Sequence, residues 1–203
     1  MLRVDTPHGE AQVQLHNADH ATALLVLGHG AAGGVESPDL KAVTGVAGSE
    51  GVSVALVEQP YRVAGRRSPA PARQLDAAWT AVVERLRAAE ARGLPLVAGG
   101  RSLGARVACR TAGATGAVAV LCLAFPLQPP ARKGGTQPPS RLAELDDVKV
   151  PTLVVQGDRD RFGIPPAAAN RTVVQVAGDH GLKKDLDAVR AAVRAWLPGA
   201  VTR

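Results

Sequence analysis

Residues 94–108 read LPLVAGGRSLGARVA, and this stretch predicts a strand, a sharp turn and a helix in succession. The apolar run ends at Ala98, and a helical pattern begins after Gly104. Between them, Ser102 is the serine of a G-x-S-x-G sequence in strand–turn–helix context. The stretch also fits an ordinary tight turn. If it is instead a catalytic turn, it holds the serine above the sheet, which makes Ser102 a candidate nucleophile.

A serine hydroxyl is a weak nucleophile at neutral pH, so it requires a base, and the base requires an acid that fixes its tautomer. Two later strands end in suitable residues: GDRD, residues 157–160, follows one, and GDHG, residues 178–181, follows the other. A histidine in a loop can also be merely solvated. The order Ser, Asp, His, each after a strand, nevertheless predicts that His180 is the base for Ser102.

Three aspartates compete for the role of orienting acid. We predict Asp160, because Gly157 lets the chain turn and the second aspartate of GDRD then projects toward the histidine. Asp158 is expected to stabilise the loop. Asp179 adjoins His180 in sequence, and adjacent side chains generally diverge, so it is a poor candidate.

An earlier glycine-rich turn, GHGAAGG at residues 28–34, follows the apolar run Leu24–Leu27. Its spacing matches G-x-G-x-x-G, and Glu58 closes the next strand as a ribose-binding acid would, so a dinucleotide-binding turn is one interpretation. In a dinucleotide fold, however, the helix begins within the glycine motif. Here Ser37 is a favourable N-cap and Pro38 a favourable first helical residue, which predicts a helix that starts past the glycines.

This longer turn is better suited to binding an oxyanion. In a hydrolase, a loop after this strand supplies one backbone N–H, and the residue after the nucleophile supplies the other. We assign these two donors to Ala31 and Leu103. His29 is expected to buttress the loop through a ring hydrogen bond.

Valine-rich runs of strand length recur along the chain, and helical patterns lie between several of them. The runs are Leu24–Leu27, Val52–Val57, Leu94–Ala98, Ala117–Leu123, Thr152–Val155 and Thr172–Val176. The helical patterns include Leu75, Trp79, Val82 and Leu86, and later Leu182, Leu186, Val189, Val193 and Trp196. This alternation predicts a parallel sheet. Ala11–Leu15 suits an edge strand, with antiparallel pairing open.

The segment Phe125–Lys149 is rich in proline and carries Gly134 and Gly135. It has no long apolar helix, so we expect no lid. A short helix at Arg141–Leu145 is expected before the strand that begins near Val150.

Composition limits the function further. With 203 residues, 46% of them hydrophobic, we expect one globular domain spanning residues 1–203. The run Ala21–Leu27 is too short to span a membrane and the N-terminus lacks a secretory signal, so we expect a cytoplasmic protein with no membrane partner. Cys109 and Cys122 are expected to be buried free thiols.

The net charge of +6 comes from basic residues that are dispersed among acidic ones, and aromatic residues make up only 2% of the chain. Neither feature favours a nucleic-acid partner. We expect a small-molecule substrate and neither a metal nor an organic cofactor.

Three aromatic residues, Tyr61, Phe125 and Phe162, fall just beyond the carboxyl ends of predicted strands, where ligands bind to parallel sheets. They either line a substrate pocket or cap the core. Four arginines also lie near these ends, and either bind an anionic substrate or are simply exposed: Arg62, Arg66, Arg67 and Arg101.

The sequences HGAAGG, GRSLG, GDRD and GDHG, in this order over nearly the whole chain, resemble the α/β-hydrolase family. Within it the chain is similar to small lidless dienelactone-hydrolase-like members. HGAAGG and SPDL followed by YRVAGRRSPAP are similar to a subgroup that includes the hydrolase-like subunit of a chromatin acetyltransferase complex. The dienelactone branch uses a cysteine nucleophile, whereas this chain has Ser102.

The resemblance implies an α/β-hydrolase fold: a mostly parallel sheet of about seven strands, helices on both faces and no lid domain. It also implies a serine hydrolase that cleaves a small soluble ester or thioester. Because some members serve as interaction scaffolds, a catalytically silent interaction module is the alternative.

Overall fold

A computed structural model describes residues 1–130 and 135–202, and over these residues the chain forms one eight-stranded sheet. The strands are β1 (Leu2–Thr6), β2 (Gly9–His16), β3 (Ala23–Gly28), β4 (Val52–Glu58), β5 (Leu96–Arg101), β6 (Ala119–Leu123), β7 (Thr152–Gly157) and β8 (Arg171–Val176). Their spatial order is β1-β2-β4-β3-β5-β6-β7-β8. Strand β2 pairs antiparallel with both β1 and β4, and the other pairs are parallel.

Helices cover both faces of the sheet, as the sequence predicts. They are α1 (Pro38–Ser49), α2 (Pro60–Val63), α3 (Ala72–Ala88), α4 (Leu103–Thr115), α5 (Leu142–Asp146) and α6 (Leu186–Val201). Successive residues of β3 point to opposite faces, so Val26 joins the core under α3 and α4, and Leu27 joins the core under α1 and α6. These two apolar layers bury the central strands on both sides.

The helix after the glycine-rich turn begins at Pro38, as predicted, and therefore past Gly33. Ser37 occupies the N-cap position with an extended backbone, but its hydroxyl forms no hydrogen bond with the helix. The turn thus lacks the helix N-terminus that faces a pyrophosphate in dinucleotide folds.

Strand β1 was not expected, because only Val4 of its five residues is buried and its short sequence carries little pattern. It is joined to β2 by a tight turn in which the Thr6 hydroxyl donates to the Gly9 carbonyl at 2.6 Å. Leu182 also differs from the prediction. It lies before α6 with a φ of 49°, and the helix starts only after Asp185, whose carboxylate caps it by accepting from the Ala188 N–H.

The proline-rich segment contains the short helix α5, close to the position predicted for it. Gly134 lies outside the described residues. Cys109 and Cys122 are buried free thiols with their Sγ atoms 3.5 Å apart, which confirms the prediction for them. Within residues 1–130 and 135–202, no helix has the length and apolar character needed to cross a membrane.

Candidate active site

Ser102 sits on the sharp turn that joins β5 to α4. Its backbone has φ 51° and ψ −104°, a conformation that L-residues rarely adopt and that stores about 1–3 kcal/mol of strain. The Ser102 N–H donates to the Leu123 carbonyl at 2.9 Å, which fixes the turn to the end of β6. The serine is therefore held at the carboxyl edge of the sheet by its backbone.

The turn requires glycine because α4 begins almost in contact with β3. A Cβ on Gly100 would lie 2.6 Å from the Gly28 carbonyl oxygen, and one on Gly104 would overlap the Gly28 carbonyl group. Backbone atoms cannot move aside as a flexible side chain can. The two glycines of G-x-S-x-G are thus explained by the strand and helix that enclose them.

His180 lies between Ser102 and Asp160. Its Nε2 is 2.9 Å from Ser102 Oγ, and its Nδ1 is 2.8 Å from Asp160 Oδ2. A carboxylate at Nδ1 holds the proton there and leaves Nε2 free to accept from the serine hydroxyl. The structure therefore brings together all three side chains that the sequence singled out for catalysis.

The Asp160 side chain is fully buried, and three donors surround its carboxylate. Besides His180, Gln156 Nε2 donates to Oδ2 at 2.7 Å and the Phe162 N–H donates to Oδ1 at 2.9 Å. These contacts hold the orientation of the carboxylate against the His180 ring. The sequence motifs do not single out Gln156, although a polar residue at the end of an apolar strand is a usable signal.

Gly157 allows the two loops that carry the acid and the histidine to approach. A Cβ on Gly157 would collide with the backbone carbonyl of Asp179 and lie 2.7 Å from that of Gly178. The neighbouring carboxylates serve these loops instead of the imidazole: Asp158 Oδ1 accepts from the Gly178 N–H at 2.9 Å, and Asp179 Oδ1 accepts from the Gly181 N–H at 2.8 Å.

The loop after β3 passes directly beside the nucleophile. A Cβ built on Gly30 would lie 3.7 Å from Ser102 Cβ, and the Gly104 N–H donates to the His29 carbonyl at 3.1 Å. The Tyr61 hydroxyl donates to the Ala31 carbonyl at 3.1 Å, and burial raises the pKa of Tyr61 to about 12, which keeps it protonated. These contacts fix the position of the loop relative to Ser102.

His29 is a structural residue of this loop. Its Nδ1 donates to the Gly30 carbonyl at 2.8 Å, and its Nε2 accepts from the Gln59 N–H at 3.1 Å. Both contacts require the neutral ring with the proton on Nδ1. Burial lowers the pKa of His29 below its usual value, against a smaller raising effect of the Gly30 carbonyl.

The lowered pKa of His29 predicts a pH-dependent stability. The His29 imidazole takes up a proton near pH 6.5 in the unfolded chain but only at lower pH in the folded chain. Its contribution to the free energy of unfolding is therefore present above pH 6.5 and is lost as the pH falls. The melting temperature should therefore fall between about pH 7.5 and about pH 5.5 by more in the wild type than in His29→Gln. His8→Gln removes an exposed histidine and should keep the wild-type slope; equal slopes in all three proteins would contradict the prediction.

The three aromatic residues have different surroundings. Phe125 is fully buried in the core, so it caps the core rather than lining an open pocket. Tyr61 is also buried and contacts the loop after β3. Phe162 alone reaches the catalytic side chains, since its ring packs edge-on against the His180 ring at a centroid distance of 4.5 Å.

Arg101, the residue before the nucleophile, braces the histidine loop. Its Nη2 donates to the His180 carbonyl at 3.0 Å, and its Nε lies 3.1 Å from Oδ2 of Asp39 in the first turn of α1. Asp39 is fully buried, and the pair is aligned for charge attraction rather than for a linear hydrogen bond. These contacts engage Arg101 within the protein, so it is poorly placed to bind an anionic substrate.

Replacement of Arg101 by methionine should destabilise the fold by about 3–5 kcal/mol, because it leaves the Asp39 charge buried without a partner. The double variant Arg101→Met/Asp39→Leu should recover part of that loss. Chemical denaturation of the wild type, both single variants and the double variant measures the coupling. Strictly additive effects of the two changes would show that the pair does not interact.

The sequence profile of the family described as "Alpha/beta hydrolase domain" matches residues 21–187. No curated protein matches the chain. Among solved structures, Est1E from Butyrivibrio proteoclasticus with bound ferulic acid is 17% identical, with a TM-score of 0.77 and 100% of both chains covered.

Two further structures share the fold. A lidless α/β serine hydrolase from Xanthomonas campestris is 20% identical, with a TM-score of 0.71, and 97% of this chain and 94% of that chain are covered. The dienelactone hydrolase from Anabaena variabilis is 17% identical, with a TM-score of 0.77, and 98% of this chain and 95% of that chain are covered. The match to the family profile, over more than half of the chain, identifies it: the protein belongs to the α/β-hydrolase family.

Proposed function

We propose that the protein is a serine hydrolase that cleaves a small soluble carboxylic ester or thioester through an acyl-enzyme intermediate. The observation that carries this proposal is the continuous series of hydrogen bonds from Ser102 Oγ through both ring nitrogens of His180 to Asp160. An alcohol that donates to a base, which is itself oriented by a buried carboxylate, is activated for attack on a carbonyl carbon. The three side chains thus supply the base and the orienting acid that a serine nucleophile requires.

In the first half of the reaction, Ser102 Oγ forms a bond to the carbonyl carbon while its proton moves to His180 Nε2. The bond from that carbon to the leaving oxygen or sulfur then breaks, and the leaving group takes the proton from Nε2. In the second half, water gives a proton to Nε2 and its oxygen attacks the acyl carbon. The bond from that carbon to Ser102 Oγ then breaks, the acid leaves, and the proton on Nε2 returns to Oγ. Asp160 stays ionised throughout and stabilises the imidazolium.

The negative oxygen of the tetrahedral intermediate is assigned to the backbone N–H groups of Leu103 and Ala31. Neither N–H donates to a backbone acceptor within the described residues, so both are available. Leu103 is the first residue of α4, where the helix dipole favours negative charge. The adjacent Gly30 brings the loop that carries Ala31 close to Ser102. Removal of one such donor typically costs about 10²–10³ in rate.

The alternative is a catalytically silent interaction module, as in the subgroup that HGAAGG and YRVAGRRSPAP resemble. A scaffold has no need for a serine hydroxyl within 2.9 Å of an imidazole nitrogen. We therefore favour the enzyme.

For the cellular location we propose the cytoplasm, since the thiols of Cys109 and Cys122 are free although they lie 3.5 Å apart.

Labelling with a fluorophosphonate probe tests the function without a guess about the substrate. The probe forms a bond to an activated serine, so we expect peptide mapping to find it on Ser102. The variants Ser102→Ala and His180→Ala should not be labelled. A folded wild-type protein that stays unlabelled at high probe concentration would contradict the proposal and favour the interaction module.

A further inference from the structure

We propose that the enzyme prefers substrates whose leaving group carries a negative charge, which binds in a basic hollow beside His180. This inference rests on the proposed function. The hollow has a volume of about 330 Å³ and is lined by Arg159, Arg161, Asp179, His180, Gly181 and Lys183. Three cationic side chains thus meet a single lining carboxylate at the edge of the catalytic histidine.

The charges in the hollow are unbalanced. Asp179 already accepts the Gly181 N–H through Oδ1, and Arg159 lies 3.7 Å from Asp158, outside the hollow. Within the described residues, neither Arg161 nor Lys183 has a carboxylate at ion-pair distance. An anion that enters the hollow therefore meets cations that the protein itself has not neutralised.

Arg161 is held close to the catalytic side chains. Its guanidinium carbon lies 4.8 Å from the centroid of the Phe162 ring, and that ring packs on His180 at 4.5 Å. A guanidinium stacked on an aromatic ring is partly ordered and keeps its N–H groups free for an anion. The contacts from His180 through Phe162 to Arg161 thus keep a charged group near the catalytic histidine.

The mechanism determines which part of the substrate reaches this hollow. The leaving oxygen must come within hydrogen-bond reach of His180 Nε2 to receive its proton, whereas the acyl group stays bonded to Ser102. His180 lines the hollow together with Gly181 and Lys183. We therefore assign the hollow to the leaving group, which is the part of the substrate that must approach His180. The cations should therefore select for charge on the alcohol and not on the acid.

Two isosteric esters test this selection: 3-acetoxybenzoate has an anionic leaving group, and 3-acetoxybenzamide has a neutral one of the same shape. After correction for their rates of hydroxide hydrolysis, we expect kcat/KM to favour the benzoate by about five- to tenfold, since each exposed ion pair contributes modestly. The preference should shrink as salt is added. A corrected ratio of one or below would overturn the inference.

A second pair places the charge on the acid: monophenyl adipate and the phenyl ester of adipamic acid. We expect no comparable preference within this pair. A larger preference for the charged acid than for the charged leaving group would contradict the assignment of the hollow.

The double variant Arg161→Gln/Lys183→Gln should lower the benzoate preference to near one. The matched control Arg92→Gln/Lys149→Gln removes the same charge from residues that do not line the hollow and should keep the preference. Equal loss in both variants would indicate a general effect of net charge and overturn the local site. Hydrolysis of the benzamide ester without any preference rejects the hollow alone, whereas no hydrolysis together with no fluorophosphonate labelling rejects the proposed function.

Discussion

Replacement of Ser102 by alanine should lower kcat for a short-chain aryl ester by about 10⁶-fold, the scale of loss when a serine nucleophile is removed from a complete triad. The hydroxyl oxygen is the only heavy atom removed, and the backbone of the turn is held by Gly100, Gly104 and the Leu123 carbonyl. The variant should therefore fold like the wild type. Initial rates at saturating ester, together with a thermal melt, measure both outcomes.

Ser68→Ala is the matched control, because Ser68 is exposed and lies outside the site. It should keep wild-type turnover. Should Ser102→Ala retain more than a trace of ester hydrolysis while folded, another nucleophile performs the reaction and the assignment to the β5–α4 turn is wrong.

Replacement of Asp160 by asparagine should lower kcat by about 10⁴-fold with the fold retained, as in the best-studied triad. The amide can donate to Nδ1 of His180, which then presents a protonated Nε2 to Ser102 and cannot accept its proton. A large effect is expected at this position because Gln156 and the Phe162 N–H hold the carboxylate against the His180 ring. Turnover of a short-chain aryl ester, measured across pH, gives the effect.

Asp158→Asn and Asp179→Asn are volume-matched controls that each remove one carboxylate. Both side chains accept backbone N–H groups through Oδ1, a role that the amide oxygen of asparagine can retain. We expect each to lose less than about tenfold, within the range of a single neutral hydrogen bond. If either control lost activity while Asp160→Asn stayed near wild type, the acid would be misassigned even with Ser102 and His180 correct.

The sequence predicts the parts of this fold that depend on local pattern. Buried parallel strands read as unbroken apolar runs, and Pro38 marks the start of α1 without reference to any distant residue. Strand β1 was missed because a short edge strand buries a single side chain and leaves almost no periodic signal. The helical spacing predicts a start of α6 that is too early, because Leu182 is apolar at that spacing yet lies before the helix with a positive φ.

The sequence likewise predicts only part of the candidate site. Ser102, His180 and Asp160 could be found because each follows a strand, and parallel strands bring their carboxyl ends to one edge. Contacts between distant elements could not be found. Nothing in the spacing of Asp39 and Arg101 indicates that the two side chains meet. Phe125 follows its strand as a pocket residue would, so its sequence position does not reveal that it is buried in the core.

The contact between Arg101 and the His180 carbonyl limits which residues can be varied in an engineered library. A library that randomises residues 178–181 to accept bulkier alcohols leaves the nucleophile untouched, yet it perturbs the carbonyl through which Arg101 holds His180. A change of residue 180 removes the catalytic base, and changes at the neighbouring positions must preserve this backbone contact as well as those that Asp158 and Asp179 make within the loops. Libraries that keep Arg101 and Asp39 fixed and vary Arg159, Arg161 and Lys183 should yield a larger fraction of folded, active clones than libraries that vary position 101.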